Sequence, residues 1–223
     1  MFKELLKLWK QKDLSSQAFE ESIEMLKVDK EMFEEAVKSL RTSETGEYAE
    51  NVFKKDKLIN KYQRDVRKKV LTHLVMSDKL EIPSGLVLVS VVIDIERIGD
   101  YTKNIMDLAL AHKSILNAGK YENELKEIED KISKFFELTI EAFSNSDKDT
   151  ARIVMSEYKK ISGTCDKRIE ELIKNADDFT PSDAVTLALY LRYLKRIGAH
   201  LHNICTSVVN PFHRIGYKEK RKD

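Results

Sequence analysis

The sequence predicts an all-α protein: two tandem three-helix bundles related by an internal repeat, with a short extra helix at the N-terminus. Three observations carry this. Glycine and proline number only 7 and 3 in 223 residues, too few for the tight turns of an all-β fold. Apolar residues (42%) and charged residues (35%) leave enough of each for a core and a solvated surface, and the dominant Lys, Arg and Glu are at ease in helices. Finally, two segments that open on Pro-Ser carry the same motif in the same order, the mark of a duplicated unit.

Taken in order, Phe2, Leu5, Leu6 and Trp9 fall at i, i+3, i+4 and i+7, a short amphipathic helix that either packs back on the bundle or lies on a membrane surface. The first long helix runs from about Leu14 to Leu40, with Phe19, Ile23, Leu26, Phe33, Ala36 and Leu40 inward. A turn over Thr42 to Gly46 leads to the second, from about Glu47 to Val75, which Ser77-Asp78-Lys79 and Pro83 end. Pro83 suits the first turn of the third helix, where its missing N–H costs nothing. The dense Val/Leu/Ile run at 86–95 alone would fit a strand, but Ile95, Ile98, Ile105 and Leu108 continue with helical spacing. A fully buried central helix to about Ala118, ended by Gly119, is expected.

The fourth helix spans about Glu122 to Ser144, with Leu125, Ile128, Ile132, Phe135, Thr139 and Phe143 inward. Ser146 or Asp147 caps the fifth, which reaches about Lys174. Thr180 and Pro181 are a good N-cap and first residue for the sixth, which carries Val185, Leu187, Leu189, Leu191, Leu194 and Ile197 and stops before Pro211. The expected division is 1–118 for the short helix and first repeat, 119–210 for the second repeat, and 211–223 for a basic C-terminal tail. Lys218 to Lys222 reads as a solvated terminus, with phosphate or anionic lipid as the sharper alternative.

The repeat is visible residue by residue. Ile82-Pro83-Ser84, Glu96-Arg97-Ile98-Gly99-Asp100 and Asn104-Ile105 match Thr180-Pro181-Ser182, Lys195-Arg196-Ile197-Gly198-Ala199 and Asn203-Ile204. The preceding helices align Asp56-Lys57-Leu58-Ile59-Asn60 with Asp166-Lys167-Arg168-Ile169-Glu170. Glycine inside a helix costs about 1 kcal/mol relative to alanine, so Gly99 and Gly198 point to close packing. The expectation is a backbone approach at the interface between repeats, with Arg97 and Arg196 paired to carboxylates across it.

Asp94-Ile95-Glu96-Arg97-Ile98-Gly99-Asp100 with Asn104-Ile105, together with the two-fold repeat over nearly the whole chain, closely resembles the PhoU family. The resemblance implies paired three-helix bundles and a non-enzymatic cytoplasmic regulator of phosphate uptake and signalling. Its implied partners are a phosphate ABC transporter ATPase and a sensor histidine kinase, with membrane association only through them; a homodimer is an open reading. Some members bind iron or other metals through E(D)-x-x-x-D motifs.

Glu96 and Asp100 are four apart and share one helix face, as do Asp56 and Asn60. If those faces meet, four oxygen donors converge and suit one hard divalent cation or iron. A solvated charged face is the plain alternative. Asn60 stands where the family more often has an acid. A second site at Asp166 and Glu170 is expected to be degenerate, because Lys195 and Ala199 replace both acids of the sixth helix and an ammonium at Lys195 would neutralise a carboxylate instead. His200 and His202 are candidate rescuing ligands or plain hydrogen-bonded groups, and His73, His112 and His213 are uninformative.

Other classes find little. Net charge is +1, so no basic stripe favours nucleic acid. No histidine has a glutamate three residues before it, and no phosphate loop, nucleophile elbow or zinc-protease motif occurs. Cys165 and Cys205 read as reduced, inert thiols. No apolar run approaches the ~18 residues of a transmembrane helix, and Met1 to Glu4 does not open like a signal peptide. The alternative function is a metal-buffering bundle with no phosphate role; a helical scaffold without metal is a third.

Overall fold

The computed structural model describes residues 3, 13–43, 48–76, 81–112 and 114–219, and no strand occurs among them. Six long helices follow one another: α1 (Leu14–Thr42), α2 (Ala49–Met76), α3 (Ile82–Ala111), α4 (Glu122–Asn145), α5 (Lys148–Lys174) and α6 (Pro181–Val209). The stripe of Phe2, Leu5, Leu6 and Trp9 lies outside the described residues, as does most of the α1–α2 turn.

Local chemistry sets the helix starts. Asp13 Oδ1 accepts from Ser16 N at the head of α1, and Asp147 Oδ1 accepts from Asp149 N and Thr150 N at the head of α5. Ser146, the other candidate cap, is instead the left-handed residue that closes α4, with φ 56°. Thr180 caps α6 by accepting from Asp183 N, and its hydroxyl donates back to the Asp183 carboxylate.

α3 stops at Ala111, not near Ala118. The chain leaves the helix at His112, whose ring contacts the Ser114 carbonyl at 2.6 Å and the Asp183 carboxylate at 3.1 Å. Leu116 and Ala118 are then buried in an irregular connection, with Leu116 N donating to Leu40 O. His112, uninformative in the sequence, thus ties the end of α3 to the start of α6. His73 makes a similar tie, from α2 to Glu81.

α1, α2 and α3 pack as one bundle and α4, α5 and α6 as another, joined along α3–α6 and α1–α4. Both joints are antiparallel. Asp94 of α3 meets His200 and Asn203 of α6, while Tyr101 meets Tyr193 and Arg196. Along α1–α4, Phe19 pairs with Phe143 and Phe33 with Phe136, at ring-centroid distances of 5.0 and 5.5 Å. Each such buried aromatic contributes on the order of 1.5–3 kcal/mol.

α3 is central but not fully buried. Val87, Leu88, Val91, Val92, Ile95 and Ile98 face the core, while Ile82, Leu86 and Ile93 are 40–42% exposed. α1, α2 and α6 pack against the helix and leave the face of Ile82, Leu86 and Ile93 to solvent, which the unbroken apolar run does not distinguish. The C-terminal tail also differs from a frayed end through residue 219. Asn210 Nδ2 donates to the Arg214 and Tyr217 carbonyls, Gly216 N donates to Thr206 Oγ1, and Arg152 holds Glu219 at 2.8–2.9 Å. Among the described residues no helix is long and apolar enough to cross a membrane. Cys165 and Cys205 are buried and unpaired, and burial pushes each thiol up to about 12.

Candidate functional site

The carboxylates of the first repeat gather where α1, α2 and α3 meet. Asp56 of α2 and Asp100 of α3 face one another through the Lys103 ammonium, 3.3 Å from Asp56 and 3.4 Å from Asp100. Burial works against the charge on Lys103, but the two carboxylates outweigh it and raise its pKa above the ordinary lysine value. Glu96 sits one turn before Asp100; burial first, then the charge of Asp100, raises its pKa. Asn60 turns to its own helix and donates to the Asp56 carbonyl at 3.0 Å. Arg97, expected across the repeat interface, is exposed and lies 3.5 Å from Asp100 on its own helix.

A fourth carboxylate, Asp29 of α1, completes the cluster and was missed from the sequence. Its side chain is fully buried and neither oxygen has a hydrogen-bond partner. Burial, then the charges of Asp56, Glu96 and Asp100, push its pKa well above the usual carboxylate range. A signal was present: Asp29 lies on the apolar stripe between Leu26 and Phe33, where an acid is rare unless paired. Gly99 belongs to the same arrangement. A Cβ there would stand 3.0 Å from Asp29 Oδ1 and 3.2 Å from Ile59, so the glycine admits the carboxylate beneath α3.

The two motif glycines therefore do not mark the interface between repeats. Gly99 faces α1 and α2, and Gly198 faces Ile132 of α4 and Tyr158 of α5, 2.9 and 3.0 Å from its would-be Cβ. Each opens the inside of its own bundle.

This comparison also corrects the pairing of the two acidic motifs. Ile59 lies against Gly99, but the residue against Gly198 is Tyr158, about three turns before Ile169, the residue aligned with Ile59 by sequence. Asp166 instead lies against Lys195, whose Nζ is 2.5 and 2.6 Å from its two oxygens, and Glu170 pairs with Lys174 of its own helix at 2.5 Å. Asp166 and Glu170 are thus not brought to the level of Gly198.

What does cross the α3–α6 joint is a polar network. His200 Nδ1 and Asn203 Nδ2 both donate to Asp94 Oδ1, at 2.7 and 3.1 Å. Arg196 Nε donates to the Tyr101 hydroxyl at 3.1 Å, and its guanidinium lies 5.4 Å from that ring. Tyr101 stacks on His200 with centroids 5.7 Å apart. Arg196 therefore meets an aromatic ring, not the expected carboxylate, and Asn203 spans the joint. Asn104 is half-buried on α3.

Chemically, the first cluster offers hard oxygen donors around an orphaned buried acid, a donor set that suits a divalent cation. The separations in this structure do not bring three acidic, histidine or cysteine groups together around one point among the described residues. The central position belongs to the Lys103 ammonium.

Comparison with known proteins follows the same division of the chain. The family model described as the PhoU domain matches twice, over residues 22–109 and 125–208. The "phosphate-specific transport system accessory protein PhoU homolog" of Clostridium acetobutylicum is 27% identical over 169 residues, covering 72% of this chain and 75% of that protein. The crystal structure of PhoU from Pseudomonas aeruginosa superposes with a TM-score of 0.79 at 21% identity, covering 88% of this chain and 95% of the other. The phosphate transport system regulatory protein PhoU from Streptococcus pneumoniae gives 0.76 at 20% identity, covering 94% and 95%. At these identities the two crystal structures establish the shared fold.

Proposed function

The chain belongs to the PhoU domain family, and on that premise we propose that it regulates phosphate uptake and phosphate signalling by docking. Its role is that of a cytoplasmic adaptor between a phosphate ABC transporter ATPase and a sensor histidine kinase, reaching the membrane only through them. The observation that carries this reading is the double family match, one to each three-helix unit, in a chain similar to a phosphate-transport accessory protein. Docking asks for a rigid body with presented faces, and two bundles locked by the Asp94–His200 joint supply one. No turnover is needed for that role, and none is assigned.

A divalent cation at Asp56, Glu96 and Asp100, with Asp29 beneath them, forms the second part of the proposal. When bound it would neutralise the buried acid and draw α1, α2 and α3 together. Two features support the fit: the hard oxygen donors and the partnerless Asp29 carboxylate. For the cation to enter, the Lys103 side chain must swing out, so the single charge of the ammonium is replaced by the double charge of the ion. A storage role is disfavoured, since lysines already occupy carboxylates in both repeats.

The test is recovery of the protein with its natural partners from cells grown with and without phosphate. Recovery of a transporter ATPase or a sensor kinase, in amounts that change with phosphate, is expected. If deleting the protein leaves phosphate uptake and its gene response unchanged, the regulatory reading fails.

A further inference from the structure

The second repeat carries, at the level of Gly198, a groove of about 700 Å³ lined by Met155, Tyr158, Lys159 and His202 and, from the segment after α6, by Lys218. This is the size of ordinary small-molecule sites. Lys103 of the first repeat and His202 of the second follow their motif glycines by the same four residues. Where the first repeat gathers Asp29, Asp56, Glu96 and Asp100, the second has Ile132, Tyr158, Lys195 and Ala199 about its glycine or in the matching motif. The acidic cluster thus has a largely apolar counterpart about Gly198, with Lys195 already paired to Asp166. Among the described residues, Gly216, Lys218 and Glu219 that follow α6 border this groove.

We propose that this groove binds a soluble organic phosphate of about nucleotide size. Three observations point there. Lys159 and Lys218 are exposed, line the groove and form no ion pair among the described residues, so two unneutralised ammonium groups are available to a phosphate. Met155, Tyr158 and the imidazole of His202 supply the apolar wall against which a flat body can lie; the Tyr158 and His202 rings are 5.1 Å apart. The tail is fixed by Gly216 N donating to Thr206 Oγ1 at 2.7 Å and by the Arg152–Glu219 pair, on either side of Lys218, which borders the groove.

His202 gives the site a pH signature. Burial holds its pKa below the ordinary histidine value, against the opposing influence of Asn203 and Asp94. The charged and titratable groups about it are Tyr158, Lys159 and Arg152 from α5, Lys218 and Glu219 from the tail, and Asp94 from α3. A bound phosphate adds negative charge to this set and favours imidazolium, so binding takes up a proton and weakens as pH rises.

The experiment is calorimetric titration of the full chain with ADP in the presence of a chelator, at pH 6 and pH 8. Saturable binding is expected, at least tenfold weaker in Lys159→Glu and in Lys218→Glu, tighter at pH 6, and with that pH dependence reduced in His202→Gln. Lys134→Glu on α4 carries the same charge change away from the groove and is expected to bind as wild type; thermal melts of all four variants exclude unfolding. Absence of binding at millimolar ADP overturns the proposal, as does equal weakening by Lys134→Glu. Recruitment to phosphatidylglycerol vesicles without ADP binding also overturns it and assigns the basic surface to a membrane.

Discussion

Lys103 of α3 reaches to Asp56 of α2, its ammonium 3.3 Å from the carboxylate, and so occupies the place a cation would take between Asp56 and Asp100. At the proposed cation site, lysine and metal would compete for the same oxygens. Lys103→Met keeps the length and apolar stem but removes the charge. It is expected to raise affinity for Mn²⁺ at least tenfold, measured by calorimetry, and to make the fold more dependent on the metal. Unchanged affinity would show that Lys103 does not guard the site.

The Asp94 carboxylate holds the two repeats together through His200 and Asn203. Asp94→Ala leaves both donors without their acceptor in a largely buried joint, at a cost of about 1–3 kcal/mol for such unsatisfied groups. Asp94→Asn retains a carbonyl oxygen and should recover part of the loss. Urea unfolding of both variants measures this, and equal, near-zero changes would remove the network from the account of how the repeats are joined.

The helical glycines separate by what lies over them. At Gly163 nothing stands within 4 Å of a would-be Cβ, so Gly163→Ala should stabilise the protein by about 0.5–1 kcal/mol through helix propensity alone. Gly198→Ala places its methyl 2.9 Å from Ile132 and 3.0 Å from Tyr158. Crowding of that kind costs about 1–3 kcal/mol and outweighs the propensity gain. Opposite signs in the two denaturation curves are the expected result.

The helices were legible in the sequence because each signal was local. Pro83, Thr180-Pro181 and Asp147 mark starts that need only neighbouring residues, and the Arg-Ile-Gly repeat revealed the duplication. Errors came where distant groups decide. α3 ends at Ala111 because His112 finds Asp183, seventy-one residues away, and no periodicity encodes that meeting. The pairing of Asp56 with Asp166 failed for a similar reason: chemical likeness along two helices does not fix how far each slides against its partner. Asp29 forms no i, i+4 acidic pair of its own, and its signal is instead its place as a single acid on the apolar stripe of Leu26 and Phe33.

Glu129 of α4 lies between α1 and α6, where Arg41 Nε is 3.0 Å away and the Tyr190 hydroxyl donates at 2.7 Å. Burial raises its pKa, and the opposing pull of Arg41 and of the Tyr190 hydrogen bond does not fully reverse this. The sign follows directly. An unfolded glutamate ionises near ~4.3 and the folded one at a higher value, so the unfolded chain binds fewer protons between the two. Stability from this group is complete below the unfolded value and declines as pH rises through the folded one, with a slope of at most about 1.4 kcal/mol per pH unit. Glu129→Gln keeps an acceptor for Tyr190, while Arg41 retains Glu122 and the Leu116 carbonyl. The difference in unfolding free energy between Glu129→Gln and wild type should therefore shift in favour of the variant from pH 4 upward and level off above the folded pKa. A difference independent of pH would mean that Arg41 and Tyr190 cancel the effect of burial, and one that shifts toward the wild type as pH rises would mean that the Arg41 ion pair governs this carboxylate.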